Sequence, residues 1–141
     1  MIDVTQLKVL IVDDHFLARQ VVTDVMRELN ITDVTAVVDG NVARDSLNAA
    51  YASDKPFDVV FLDWHVPDLD GFELLRLFRS RREFDATAFV MFTSVSGVDD
   101  VMKAINAGAN GYIIKPAPKQ AISKKMLEMR DWIEKKRNPS G

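Results

Sequence analysis

The chain has 141 residues, with 18 basic and 21 acidic side chains, a net charge of −3 and no cysteine. Its length suits one domain with a full core, and its apolar and charged contents, 48% and 28%, are typical of globular proteins rather than disordered or fibrous ones. The net negative charge argues against a nucleic-acid-binding domain, and the lack of cysteine excludes disulfides and thiolate metal sites.

Predicted strands and helices alternate along the chain. Apolar or β-branched runs at 7–12, 34–38, 57–62, 86–92 and 111–114 each predict a strand. Apolar residues at helical spacing follow every run, over the segments 18–29, 42–50, 72–78, 98–105 and 122–133. Gly108 closes the fourth helix, and Pro118 suits the first turn of the last one. This alternation predicts a parallel sheet with helices on both faces.

The strand–helix units leave no room for a second domain. We expect one domain over residues 1–137, followed by a polar tail or linker stub at 138–141. No apolar run approaches the roughly 20 residues of a membrane helix, and the start, MIDVTQLK, lacks the layout of a signal peptide. We therefore expect a cytoplasmic protein without membrane insertion.

The stretch FDVVFLDWHVPDLDG, at 57–71, organises the rest of the chain. Its apolar run predicts a strand that is buried on both faces and ends directly before Asp63. Open α/β sheets bind ligands at the carboxyl ends of their strands. Asp63 is therefore either a ligand-binding carboxylate or an ordinary turn residue.

Chemically useful side chains follow four of the five predicted strands. Asp13 and Asp14 follow the first strand, Asp63 the third, Thr93 the fourth and Lys115 the fifth. The second strand offers nothing comparable. If that strand lies at the sheet edge, in the order 2-1-3-4-5, the functional strand ends become neighbours and a crevice opens between strands one and three.

Three converging carboxylates repel one another and need a cation. Carboxylate oxygens without a histidine or cysteine cluster favour Mg²⁺, which also bridges phosphate oxygens. Lys115 can pair with an arriving phosphoryl group, and the Thr93 hydroxyl can donate a hydrogen bond to it. Because an aspartate carboxylate is a recognised phosphoryl-transfer nucleophile, these residues suggest a phospho-accepting aspartate.

Four motifs in order resemble the receiver domain of two-component response regulators. They are VDD at 12–14, LD at 62–63 with Pro67 and Asp70-Gly71, FTS at 92–94 and GYIIKP at 111–116. The resemblance covers roughly residues 7–133. It implies a flavodoxin-like, doubly wound (βα)5 fold with strand order 2-1-3-4-5, as in chemotaxis regulators.

The resemblance also implies roles for the acidic residues. Asp63 would accept a phosphoryl group from a phosphohistidine of a sensor histidine kinase or phosphotransfer protein. Asp14 and Asp63 would ligate Mg²⁺, or Mn²⁺, directly and Asp13 through water, and the backbone carbonyl of His65 would supply another ligand. The protein would catalyse its own phosphorylation and slow dephosphorylation without being a turnover enzyme.

The family likewise implies a conformational switch. Thr93 would move towards the phosphoryl group, Lys115 would form an ion pair with it, and the ring of Tyr112 would turn inward. The Lys115–Pro116 peptide is expected to be cis, as is common in the family.

Some positions depart from the family pattern. Val66 and Leu69 stand where methionine is frequent, and Trp64 and His65 are less usual directly after the acceptor. The His65 ring is expected to face solvent rather than bind metal. We hypothesise that His65 and Val95 flank the phosphoryl group and limit the access of hydrolytic water.

Output is expected through protein contacts rather than nucleic acid. In this family the fourth helix, fifth strand and last helix, here around Lys103, Tyr112, Lys119 and Lys124, meet another protein or a second copy. The chain is expected to be either a stand-alone, chemotaxis-like regulator or the receiver of a longer one with an output domain.

Three other classes of protein fit parts of this pattern. A haloacid-dehalogenase-like phosphatase would need Asp-x-Asp after the first strand, where Asp14 is followed by His15 and Phe16. An FMN-binding flavodoxin would need a loop rich in Gly, Ser or Thr at that position. A pure interaction module without phosphorylation stays open.

Overall fold

The computed structural model describes residues 1–139, in which five strands alternate with five α-helices. The strands are β1 (Lys8–Val12), β2 (Asp33–Val37), β3 (Val59–Leu62), β4 (Ala88–Thr93) and β5 (Gly111–Ile114). The helices are α1 (Phe16–Glu28), α2 (Gly40–Ala52), α3 (Gly71–Arg79), α4 (Val98–Asn106) and α5 (Lys119–Arg137), with short 3₁₀ turns at Val4–Gln6 and Arg82–Phe84. The tail predicted at 138–141 follows α5, and its residues 140 and 141 lie outside the described residues. No helix between residues 1 and 139 is both long and apolar enough to cross a bilayer.

All neighbouring strands pair in parallel, in the order β2-β1-β3-β4-β5, which confirms the predicted fold. The register places Val12 at the end of β1 opposite Leu62 at the end of β3. Thr93 at the end of β4 lies opposite Ile114 at the end of β5. Because the strands are parallel, the residues that follow them gather at one edge of the sheet.

Helices cover both faces of the sheet. Side chains alternate between the two faces along each strand, so the core consists of two apolar clusters. One cluster lies beneath α2, α3 and α4 and includes Leu62 and Phe78. The other lies beneath α1 and α5 and includes Phe61 and Met126. The central strands are buried on both faces, which explains their nearly continuous apolar sequences.

The third and fourth strands each begin two residues later than predicted. The residues in front of them are held by side-chain hydrogen bonds. The Asp58 carboxylate accepts from the backbone N–H of Lys8 at 2.8 Å, and the Thr87 hydroxyl donates to the Phe57 carbonyl at 3.0 Å. These hydrogen bonds cannot be seen in the pattern of apolar residues. A prediction based on that pattern therefore begins the strand too early.

The apolar stripe that predicts α4 lies on the protein surface. Val98, Met102 and Ile105 are 78%, 52% and 41% exposed, and Ala104 is the buried residue of this helix. The helical spacing was therefore interpreted correctly, but it marks a face turned to solvent.

The segment after β5 contains two prolines. The Lys115–Pro116 peptide is cis, which confirms the prediction. Pro118 directly precedes α5, one residue before the predicted first-turn position. Its fixed φ still suits the entry into a helix.

Arg79, at the end of α3, ties three segments of the chain together. Its guanidinium donates to the carbonyl oxygens of Gly108 at 3.0 Å, Phe84 at 3.1 Å and Thr87 at 2.9 Å, and to Asn110 Oδ1 at 2.6 Å. Gly108 has a φ of +111°, and a Cβ there would overlap the Arg79 side chain. The carboxyl-terminal end of α4 is therefore anchored to α3.

Gly71 allows α3 to begin against the backbone that follows β3. Its N–H donates to the Trp64 carbonyl at 2.8 Å, and a Cβ at this position would overlap the Asp63 carbonyl oxygen. We expect Gly71→Ala to lower the free energy of unfolding by about 1–3 kcal/mol or more, since backbone must move to admit the methyl group. Urea denaturation measures this change.

Gly97→Ala is the matched control, since Gly97 precedes α4 with a φ of −61° and a Cβ there meets nothing closer than Asp100 Oδ2 at 3.4 Å. We expect it to change stability by less than about 1 kcal/mol. Equal losses in the two variants would show that close packing at Gly71 is not the cause.

Candidate functional site

The predicted site residues of β1 and β3 lie side by side at the carboxyl edge of the sheet. The backbone N–H of Asp63 donates to the Val12 carbonyl at 3.0 Å, and that of Asp13 donates to the Val37 carbonyl at 3.1 Å. These bonds continue the strand ladder by one residue. The side chains of Asp13 and Asp63 are 3% and 7% exposed. Two carboxylates are therefore nearly buried beside each other, which requires compensating positive charge.

Lys115 supplies part of that charge from the end of β5. Its Nζ lies 2.7 Å from Asp13 Oδ2 and 3.3 Å from Asp63 Oδ2. The backbone N–H of Lys115 donates to the Thr93 carbonyl at 2.8 Å, which fixes the start of the side chain against β4. One ammonium thus bridges both buried carboxylates.

Asp14 and His15 complete the cluster on its solvent side. Their side chains are 38% and 68% exposed. The Nδ1 atom of His15 lies 3.1 Å from Asp13 Oδ1, 3.3 Å from Asp14 Oδ1 and 3.6 Å from Asp63 Oδ2. One ligand atom from each of these four residues lies within 4.8 Å of all the others, so the group is compatible with a divalent cation.

Sequence reasoning did not assign a role to His15. The available signal was a histidine directly after an acidic pair at a strand's carboxyl end. The backbone N–H of His15 donates to Asp13 Oδ1 at 2.9 Å, so the local turn itself brings the ring to the carboxylates.

The two predicted switch residues meet at Val95. Thr93 is buried, and its hydroxyl oxygen accepts from the backbone N–H of Val95 at 3.3 Å. The phenol of Tyr112 donates to the Val95 carbonyl at 2.6 Å. Both side chains therefore hold the backbone of one residue in the segment that leads into α4.

Burial, together with the negative charges of Asp100 and Asp63, raises the pKa of Tyr112 to about 12. The phenol consequently stays protonated well above neutral pH and remains able to donate to Val95.

The side chain of His65 lies apart from the carboxylate cluster. Its ring is 74% exposed, and Nδ1 lies 3.2 Å from Asp70 Oδ1. The preceding residue, Trp64, is buried and stacks on Phe72 with ring centroids 4.8 Å apart and planes 8° from parallel. The structure thus groups Asp13, Asp14, Asp63 and Lys115, whereas the imidazole of His65 turns towards Asp70.

A cleft of about 430 Å³ opens over Asp63 and Lys115. Its other walls are mainly apolar and come from the start of α1 and the segment after β5, including Leu17, Val21 and Pro116. A reacting group can therefore reach the Asp63 carboxylate from solvent through an apolar opening.

Comparisons with known proteins agree with this arrangement. Residues 9–127 match the family described as the response regulator receiver domain. The chemotaxis protein CheY of Pseudomonas aeruginosa is 31% identical over 127 residues, which cover 90% of this chain and 98% of the relative. The chemotaxis response regulator CheY4 of Vibrio cholerae has a similar structure, with a TM-score of 0.73 at 27% identity over 87% of this chain and 98% of that one. The BeF3-activated DrrB receiver domain also has a TM-score of 0.73, at 26% identity over 89% of this chain and 97% of that one.

The raised pKa of Tyr112 can be measured in a variant with one tyrosine. The chain has two tyrosines, so Tyr51→Phe leaves Tyr112 alone. We expect its phenolate absorbance to rise with a midpoint near pH 12 in the folded protein and near pH 10 in urea.

Since the folded state then binds a proton more tightly than the unfolded state, stability should fall as the pH rises from about 10 to 12. Tyr112→Phe should lose this part of the pH dependence. A midpoint near 10 in the folded protein would contradict the raised pKa of this partly buried phenol.

Proposed function

The chain belongs to the response regulator receiver family, and on that basis we propose that it takes up a phosphoryl group on Asp63. The supporting observation is the position of the Asp63 carboxylate, which lies 3.3 Å from the Lys115 ammonium beneath an open cleft. An aspartate held beside fixed positive charge is a suitable nucleophile, because positioning and charge neutralisation account for most phosphoryl-transfer catalysis.

The proposed donor is the phosphohistidine of a sensor histidine kinase or phosphotransfer protein. A carboxylate oxygen of Asp63 forms a bond to phosphorus while the phosphorus–nitrogen bond breaks, and the electron pair returns to the departing imidazole. Lys115 then pairs with the transferred group. The protein is used stoichiometrically, and water later returns Asp63 to its free carboxylate.

The acidic cluster fits a divalent cation because it presents carboxylate oxygens to one point. Asp14 and Asp63 would hold Mg²⁺ or Mn²⁺ directly, Asp13 through water, and the His65 backbone carbonyl would contribute a further oxygen. When bound, the ion offsets negative charge on the phosphoryl oxygens. Asp13 is already bonded to Lys115 at 2.7 Å, which is consistent with a less direct part in metal binding.

The proposed switch acts through Val95. When Thr93 turns its hydroxyl to the phosphoryl group, the Val95 N–H loses its acceptor, while Tyr112 keeps its hold on the Val95 carbonyl. The segment leading into α4 can then rearrange around the phenol. The chemistry at Asp63 thereby reaches a helix with an apolar surface.

The proposed output surface comprises α4, β5 and α5. Its exposed apolar side chains are Val98, Met102, Ile105, Ile114 and Leu127. Lys103, Lys119 and Lys124 lie on the same elements. An apolar helix face bordered by lysines suits another protein or a second copy of the chain. Family membership favours this regulator over the haloacid-dehalogenase-like phosphatase and the flavodoxin.

We expect beryllofluoride, a phosphoryl mimic, to bind only in the presence of Mg²⁺. Trp64 follows Asp63 directly and reports binding by its fluorescence, and Trp132→Phe leaves it as the single tryptophan. Asp63→Asn should abolish the response because the mimic needs the carboxylate oxygen.

Asp39→Asn is the matched control. Asp39 also lies beyond a strand at this edge, but its carboxylate caps α2 by accepting from the Val42 N–H at 2.8 Å, a role that asparagine fills equally well. This variant should bind like the unmodified protein. Wild-type affinity in Asp63→Asn would overturn the assignment.

Sedimentation of the same samples tests whether the proposed output surface binds a second copy of the chain, since self-association raises the mass. An unchanged mass favours another protein as the partner.

The proposed shielding by His65 and Val95 predicts a faster loss of phosphate when both side chains become small and polar. We expect His65→Ser with Val95→Ser to raise the dephosphorylation rate severalfold, measured as phosphate release after the donor is removed. The Val95 backbone contacts remain, because only the side chain changes. Val98→Ser, at an exposed position in α4, is the control. An unchanged rate in the double variant would remove the shielding role.

A further inference from the structure

The proposed function leaves one side chain of the acidic cluster without a role. His15 precedes α1 as its capping residue, yet its side chain makes no capping hydrogen bond. The ring instead turns to the carboxylates, and Nδ1 lies 3.1, 3.3 and 3.6 Å from one oxygen each of Asp13, Asp14 and Asp63. The second histidine of the chain, His65, faces Asp70 and is mostly exposed.

These distances match those between neighbouring ligands of one metal ion. In an octahedral site with bonds of about 2.1 Å, adjacent ligand atoms are about 3.0 Å apart. The three distances from His15 Nδ1 are close to this value, and all four ligand atoms fit within 4.8 Å. The geometry therefore allows the Nδ1 atom of His15 to bind the same metal ion as the carboxylate oxygens.

Nitrogen changes which cation the cluster prefers. Mg²⁺ favours oxygen ligands and gains little from imidazole, whereas Ni²⁺ binds imidazole well and stands near the top of the affinity order of divalent first-row ions. We propose that His15 is a metal ligand that biases this site towards imidazole-binding first-row cations relative to Mg²⁺. The inference rests on the proposed metal site and adds a residue and a selectivity to it.

The local backbone supports this role. The His15 N–H donates to Asp13 Oδ1 at 2.9 Å, and the other oxygen of Asp13 accepts from Lys115 at 2.7 Å. Asp13 is thus fixed from both sides, and the residue that carries the ring is fixed with it. A ligand oriented by such bonds loses little freedom on binding metal.

A different role for His15 would give a different result. If Nδ1 only donated a hydrogen bond to Asp13, as the 3.1 Å distance also allows, the ring would compete with every cation. Removing it would then strengthen Mg²⁺ and Ni²⁺ binding alike, and their ratio would not change. The ratio of the two affinities therefore separates a ligand from a competitor.

The experiment compares Mg²⁺ and Ni²⁺ affinities by calorimetry in the unmodified protein, His15→Ala and Asp39→Asn. We expect His15→Ala to weaken Ni²⁺ binding relative to Mg²⁺ binding by about tenfold or more. Asp39→Asn keeps the cap of α2 and lies outside the acidic cluster, so it should leave the ratio unchanged. His15 is largely exposed, so its replacement should preserve the fold, which circular dichroism checks.

Bound Mn²⁺ gives an independent measurement in the unmodified protein. Its electron spin-echo modulation should show a directly bonded nitrogen in the unmodified protein and Asp39→Asn, and none in His15→Ala. An unchanged affinity ratio, or no nitrogen signal while Mg²⁺ still binds, would overturn the role of His15 alone. Failure of every cation to bind would overturn the proposed metal site as well.

Discussion

The site depends on the compensation of negative charge at one edge of a parallel sheet. The strand register brings Asp13 and Asp63 together whatever their charges, since Val12 and Leu62 are paired partners. Nearly buried carboxylates in this arrangement are tolerated only with a cation within bonding distance. The Lys115 ammonium meets this requirement, at 2.7 and 3.3 Å from the two side chains. Because Lys115 is shared, a change of charge on Asp63 also changes the environment of Asp13.

The backbone of Val95 links this edge to the protein surface. Its N–H is bonded to Thr93 and its carbonyl to Tyr112, so two side chains from neighbouring strands define its position. Thr93 belongs to the buried end of β4, whereas Tyr112 packs against the apolar cluster beneath α2, α3 and α4. Val95 itself also packs against that cluster. A polar rearrangement near Asp63 therefore acts on a residue that is held by the core.

Much of the fold follows from residues that the sequence makes conspicuous. Continuous apolar runs predicted the central strands because both faces of β1, β3 and β4 are covered. The strand order 2-1-3-4-5 agreed with the absence of functional residues after the second strand and was implied by the resemblance to receiver domains, and in the structure this order brings Asp63, Asp13 and Lys115 together. The ring of His15 could not be placed, because spacing alone does not say whether a residue before a helix caps it or turns away.

Other features depend on contacts between distant segments. The partners of Arg79 are carbonyl oxygens and an amide, groups that a sequence does not single out, and Gly108 lies 29 residues away. The sequence also does not show which way the apolar face of α4 points. Val98, Met102 and Ile105 have the spacing of a core-facing helix, but their side chains are exposed to solvent. Helical periodicity identifies an apolar face, whereas the tertiary structure decides what that face meets.

The anchoring of Gly108 by Arg79 also determines how α4 can move. At about 1.5 Å per residue, this nine-residue helix is roughly 13 Å long, and its carboxyl-terminal end is held by the guanidinium fork. Its other end follows the segment that contains Val95. Because the carboxyl-terminal end of α4 is fixed, a displacement of Val95 would tilt the helix about that end. Val98, at the opposite end, would then move farther than Ile105. Arg79 thus fixes the end about which α4 would tilt, and the opposite end carries Val98, the most exposed apolar side chain of the helix.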